Sequence, residues 1–193
     1  TGMDAMCHAF EAYVSNASSP VTDVNALRAV QIISGNLVQA CAAPKDMRFR
    51  DGMMLASLLA GLAFSNASLG IVHAMAHALG GFLDLPHGEC NAILLEHAVK
   101  FNFHAAEDRY RDLTQAMGVN INGMSAGSII DALTNELGTL RHRAGITRTL
   151  ASLGVKKEML NQLAEFAVED PCMVTNPRDA SAADIEGLFA KAL

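Results

Sequence analysis

Four of the seven histidines in this 193-residue sequence, together with one aspartate, fall in a pattern that a divalent cation can use. Asp4 and His8 stand four apart, as do His73 and His77. On a helix that spacing projects both side chains of a pair from one face. His87 lies between Pro86 and Gly88, in a segment whose composition predicts a loop. Asp4, His8, His73 and His87 together would offer three imidazoles and one carboxylate. That donor set suits Fe(II), Zn(II) or another divalent transition metal. Each residue also has a plainer reading. A His pair at i,i+4 can simply pack, Asp4 can serve a helix N-terminus, and His87 can be an ordinary loop residue.

The elements that must position these side chains are helical nearly throughout. Met3 to Ser15 places Met6, Phe10, Tyr13 and Val14 on one side, and Asn16 to Pro20 breaks the run. Thr22 or Asp23 can cap a second helix through Leu27, Val30, Ile33, Leu37 and Val38. A third helix is expected from about Asp46 to Phe64, followed by a turn at Ser65 to Ser68. The fourth, Leu69 to Phe82, carries His73 and His77 and is expected to end at Gly80-Gly81. After a loop from Asp84 to Gly88, a fifth helix runs from Glu89 to Phe103, with Ile93, Leu94, Val99 and Phe101 as core candidates. Four more are expected near residues 105–117, 125–143, 156–168 and 181–192. Strand alternation, internal repeats and low-complexity tails are absent from the pattern. The expectation is one all-α domain of about nine helices over residues 1–193, packed as a compact array.

Composition narrows the function classes. Hydrophobic residues make up 51% of the chain, enough for a buried core. No apolar run reaches the ~18 residues of a membrane span; Asn66, His73, His77 and Asp84 interrupt the most apolar stretches. A net charge of -6 argues against nucleic acid, and the short arginine clusters at 48–50, 109–111 and 141–143 have acids nearby. The four cysteines, Cys7, Cys41, Cys90 and Cys172, are far apart and form no CxxC pair, which fits a reducing, cytoplasmic setting. Neither a GxGxxG turn nor a P-loop is present.

Two runs carry a family resemblance: TGMDAMCHAFEAY from Thr1 to Tyr13, and GIVHAMAHALGGFLDLPHGECNA from Gly70 to Ala92. They resemble the two signature regions of the iron-containing (group III) alcohol dehydrogenases. The segment DPCMVTNPR, Asp170 to Arg178, resembles that family's C-terminal part, so the likeness covers essentially the whole chain. It implies the helical, C-terminal half of a two-domain, dehydroquinate synthase-like enzyme, with the N-terminal nucleotide-binding domain absent from this chain.

The resemblance further implies that Asp4, His8, His73 and His87 bind the metal, with Fe(II) first and Zn(II) next. His77 would lie beside the metal and the nicotinamide, as a catalytic and cofactor-facing residue; a packed helix histidine is the rival reading. Cys172 would line the pocket or be inertly buried, while His97, His104 and His142 would be packing or surface residues. The implied reaction is hydride transfer between a small alcohol or aldehyde and NAD or NADP, with the metal polarising the substrate oxygen. The isolated chain would then bind metal without turning over alcohol, and homo-oligomerisation is left open. Alternatives are a glycerol dehydrogenase or dehydroquinate synthase type of enzyme, a non-catalytic helical metal-binding module, and, less in keeping with the few acids in the motifs, a metal-dependent hydrolase.

Overall fold

The computed structural model describes all of residues 1–193 and contains nine α-helices and no strand. They are α1 (Gly2–Val14), α2 (Pro20–Ala42), α3 (Met47–Ala67), α4 (Ile71–Leu83), α5 (His87–Asn102), α6 (Glu107–Ala116), α7 (Ala126–Arg143), α8 (Leu160–Val168) and α9 (Ala182–Ala192). Short 3₁₀ turns fill Phe103–Ala105, Ala151–Leu153, Lys157–Met159 and Pro171–Thr175.

Helix α1 is the hub. It packs against α2, α3 and α5, and its Met6, Phe10, Tyr13 and Val14 are all buried as the periodicity predicts. Close packing of α1, α2 and α3 follows from small residues: the buried positions of α3 are Ala56, Ala60, Ala63 and Ala67. At that spacing they form one narrow stripe, which lets neighbouring backbones approach. Helix α4 lies against α5 and α8, and α9 closes over α5 and α8. A single core of 51 buried residues runs through all of these contacts. No single helix is long and apolar enough to cross a membrane.

Helix ends differ from expectation at several places, four of them for an evident local reason, while α4 begins at Ile71 rather than Leu69 and α8 at Leu160 after a 3₁₀ turn. Helix α2 starts earlier than predicted: Ser19 is its cap, in a reciprocal capping box with Thr22, and Pro20 occupies the first turn. Helix α3 runs on through Ser65 and Asn66 to Ala67, because Ala67 is fully buried and the Asn66 amide bonds back to Leu62 O at 2.8 Å. The chain then turns at Ser68, whose φ of 61° and ψ of -164° place a non-glycine residue in a region that favours glycine. Helix α4 passes through Gly80-Gly81; Asp84 takes the left-handed cap and donates its N–H to Gly80 O. Helix α5 begins at His87 rather than Glu89, with Pro86 as the cap whose carbonyl accepts from Glu89 and Cys90. His87 is therefore held on a helix, not in a loop. Among the predicted core residues of α5, Phe101 is only half-buried.

Candidate metal centre

Three helices meet where the predicted donors lie. Asp4 and His8 come from α1, His73 from α4 and His87 from the first turn of α5. Gly88 makes the approach of α5 to α1 possible: a Cβ there would come within 3.3 Å of Asp4 Cβ and 3.4 Å of Thr1 N. The donor atoms of Asp4, His8 and His73 all lie within 4.8 Å of one another. His87 Nε2 stands 3.5 Å from Asp4 Oδ1, and His73 Nε2 stands 3.8 Å from the same oxygen. Four donors at about 2.1 Å from a tetrahedral ion are about 3.4 Å from each other, so the separations of Asp4 from His87 and His73 suit a shared cation. His87 lies outside the group of three whose donor atoms are all within 4.8 Å of one another.

The hydrogen bonding around the cluster has a deficit of donors that a cation would remove. Asn91, fully buried, points its amide nitrogen at Asp4 Oδ1 (2.6 Å), His87 Nε2 (3.0 Å) and His73 Nε2 (3.1 Å). Two amide hydrogens cannot serve three acceptors fully. Its own Oδ1 is buried without a partner. A positive ion among these lone pairs satisfies what the amide alone cannot. The donor set thus fits the group that the sequence suggested.

Glu11 sets the orientation of His73 and was not singled out from the sequence. It is 4% exposed, and its two oxygens are both engaged. Oε2 meets His73 Nδ1 at 2.5 Å, and Oε1 accepts the backbone N–H of Val72 at 2.6 Å. A carboxylate accepting from Nδ1 leaves the Nε2 lone pair directed at the cluster. It also sits at the N-terminus of α4, where the free N–H groups and the macrodipole favour a negative charge. The adjacent N–H of Ile71 is taken by Asn176 Oδ1 at 3.2 Å. Gly70 fits between them, since a Cβ there would lie 2.8 Å from Asn176 Oδ1 and 3.1 Å from Glu11 Oε1. The signal for Glu11 was available: on α1 it is three residues after His8, inside the same motif.

Electrostatics keep two imidazoles neutral and able to donate a lone pair. Burial, reinforced by the neighbouring His73, lowers the pKa of His8 to about 4. His8 is sandwiched between Phe64 and His73, with ring centroids 4.3 and 4.6 Å away. Burial likewise lowers the pKa of His87, against the opposing pull of Asp4.

His77 lies beside the cluster. Its ring stacks on that of His87 at 5.4 Å, its side chain is 45% exposed, and Nδ1 meets Asp170 Oδ2 at 2.8 Å. Cys172, in the 3₁₀ turn after Asp170, joins this second group of donor atoms within 4.8 Å. Burial and the Asp170 carboxylate push the Cys172 thiol up to about 12. His97 is half-buried, and His104 and His142 are exposed; none has a donor atom in either group. The arginine clusters carry ion pairs, Arg111 with Glu107 within α6, and Arg109 with Asp23 and Arg141 with Glu96 between helices, where a solvated helix face was expected.

Fold and site together define an all-α domain in which Asp4, His8 and His73 bring their donor atoms together, with His87 Nε2 3.5 Å from Asp4 Oδ1 at the edge of that group. Comparison with known proteins gives this class its family. Residues 1–193 match the C-terminal part of the Fe-containing alcohol dehydrogenase family, and the chain belongs to that family. It is 42% identical over 192 residues to a 1,3-propanediol dehydrogenase of Citrobacter freundii, covering all of this chain and 50% of that protein. It is 38% identical over 193 residues to an NAD-dependent methanol dehydrogenase of Bacillus methanolicus, covering 51% of that protein. The crystal structure of a 1,3-propanediol oxidoreductase superposes with a TM-score of 0.97 at 42% identity, over all of this chain and 50% of that one. The chain thus spans about half the length of the curated relatives it matches.

Proposed function

We propose that this chain is the metal-binding half of an NAD(P)-dependent alcohol dehydrogenase, in which Asp4, His8, His73 and His87 hold one divalent cation. Fe(II) is the first choice, on the family's character, and Zn(II) suits the same donors. The observation that carries the reading is Asp4 Oδ1 at 3.5 and 3.8 Å from the Nε2 atoms of His87 and His73, although more than sixty positions separate Asp4 from either in sequence. A bound cation supplies Lewis acidity at the substrate oxygen, and a nicotinamide supplies or accepts the hydride.

The chain's own residues do the rest. Glu11 holds His73 with Nε2 toward the cluster, and burial keeps His8 neutral. His77, half-exposed beside His87, is placed to receive or return the proton of a substrate hydroxyl. The relatives that act on propanediol and methanol support a small primary alcohol or diol as substrate. A nucleotide-binding domain outside these 193 residues completes the cleft, and a reducing cytoplasm suits both Fe(II) and four unpaired cysteines.

Titration of the chain with Fe(II) under anaerobic conditions, or with Zn(II) or Co(II), tests the reading. One ion binds per chain. The variant His87→Ala, altering a side chain that is 41% exposed, keeps its helical circular dichroism while affinity falls by at least about 10²-fold. Unaltered affinity in that variant would remove the ligand set. Robust NAD(P)-dependent alcohol oxidation by the 193-residue chain alone would refute the need for a second domain.

A further inference from the structure

The trio His77, Asp170 and Cys172 lies outside the proposed ligand set yet touches it through the stacked rings of His77 and His87. Its hydrogen bonds run through Asp170, which joins Cys172 to His77. Asp170 Oδ1 accepts the backbone N–H of Cys172 at 2.8 Å, capping the 3₁₀ turn Pro171–Thr175. Oδ2 meets His77 Nδ1 at 2.8 Å. Burial opposes the charge on Asp170, but the hydrogen bonds from Cys172 and His77 outweigh it, and its pKa is held below the ordinary value. The turn that carries Asp170 is itself fixed. Thr175 Oγ1 donates to Leu69 O at 2.7 Å, Asn176 Oδ1 accepts from Ile71 N, and Asn16 N donates to Thr175 O at 3.0 Å. The carboxylate is thereby held rigidly against α4, one helical turn beyond the proposed ligand His73. His77 Nε2, on the far side of the ring, has no partner within the chain.

We propose that Asp170 is a positioning residue for His77: its carboxylate accepts Nδ1–H and turns Nε2 to the open side of α4. There Nε2 can accept the proton of a substrate hydroxyl while the hydride leaves for the nicotinamide, a role that rests on the dehydrogenase reading above. A carboxylate on Nδ1 does this because it can only accept, so the ring must donate from that nitrogen. A histidine side chain free in water favours the opposite tautomer, so the preference must be imposed by the protein.

The experiment reads the tautomer directly and does not depend on turnover. In the ¹⁵N-labelled chain, two-bond ¹H–¹⁵N correlations of the imidazoles show His77 as Nδ1–H. In Asp170→Asn the new Oδ1 keeps the cap on Cys172, and the new amide faces Nδ1 as a donor. The His77 ring then swings to mostly Nε2–H, as an Asp-to-Asn change does in a catalytic Asp–His pair. In the two-domain enzyme the same variant lowers kcat by about 10²-fold or more, with KM within about threefold. A wild-type His77 that is Nε2–H overturns the proposal even if the variant fails to fold, and so does a tautomer that Asp170→Asn leaves unchanged. An Nδ1–H ring in an enzyme without alcohol turnover would instead sink the dehydrogenase reading and leave the Asp170–His77 pair standing.

Discussion

At the scale of single residues, the centre depends as much on what holds the donors as on the donors themselves. His73 is 1% exposed and can present Nε2 to a cation only if Nδ1 carries the proton, and Glu11 imposes this at 2.5 Å. Glu11→Gln keeps the volume and can still accept from Val72, but it weakens the hold on Nδ1–H and removes a negative charge from the α4 N-terminus. Metal affinity should fall by about 10- to 100-fold, and stability by about 1–3 kcal/mol as charge-assisted bonds become neutral or are lost. Competition with a chelator and urea unfolding measure the two effects. An affinity within about twofold of wild type would show that Glu11 supports the helix and not the ligand.

The proposed donors stand out in the sequence by type and register, Asp4 four before His8, His73 on the next motif and His87 inside Pro-His-Gly, and the family resemblance is what joins them into one set. Their partners do not. Glu11, Asn91 and Asp170 act across 62, 18 and 93 positions of sequence respectively, on His73, His73 again and His77. For Asn91 and Asp170 nothing in local pattern distinguishes such an amide or acid from a solvated one, while for Glu11 the only local sign is its place in the His8 motif.

At the scale of elements, the helices themselves follow from periodicity, while their ends follow from tertiary contacts. Ser65 and Asn66 are poor helix formers, yet Ala67 is drawn into the core, and the Ser15 hydroxyl donates to its carbonyl at 2.5 Å. The Gly80-Gly81 pair lies inside α4 because the stop comes from Asp84 in the left-handed region. Pro86 and Gly88 on either side of His87 predict a loop; in the fold the proline is the cap and the glycine the contact with Asp4. The correction matters, since a helical first turn fixes the ring more firmly than a loop would.

The same scale contains the clamp that sets α4. Asn176 is 4% exposed, accepts from Ile71 N and Asn102 Nδ2, and donates to Asn102 Oδ1 and Arg178 O. Asn176→Ala would leave the Ile71 N–H and the Asn102 amide buried without those partners. The expected cost is about 2–4 kcal/mol, seen as a lower urea midpoint. Amide exchange at Ile71 should also accelerate if the C-terminal turn loosens from α4. Unchanged exchange there would mean that α4 is held by its apolar face alone.

At the scale of the whole molecule, one cation would join α1 to α4 and α5 across the core, so metal binding and folding are linked. Protons work against both. For the metal-free chain, burial lowers the folded pKa of His8 to about 4, below the ordinary 6.5 of an unfolded histidine. The unfolded chain therefore binds the proton more readily than the folded one between those values. Stability from this group is complete above pH 6.5 and is lost as pH falls from 6.5 toward 4. His87, whose pKa is also lowered by burial, adds in the same direction.

The urea midpoint of the metal-free chain should consequently be level near neutral pH and decline through the mildly acidic range, and His8→Gln should flatten that decline. With metal present the midpoint rises most at neutral pH, and the gain shrinks in acid as protons displace the cation from the imidazoles. A metal-induced gain that stayed constant between about pH 5 and 8 would be incompatible with histidine ligation, because ligands titrating near 6.5 must compete with protons in that interval. The carboxylate of Asp4 alone would then be too little to fix a cation between these helices.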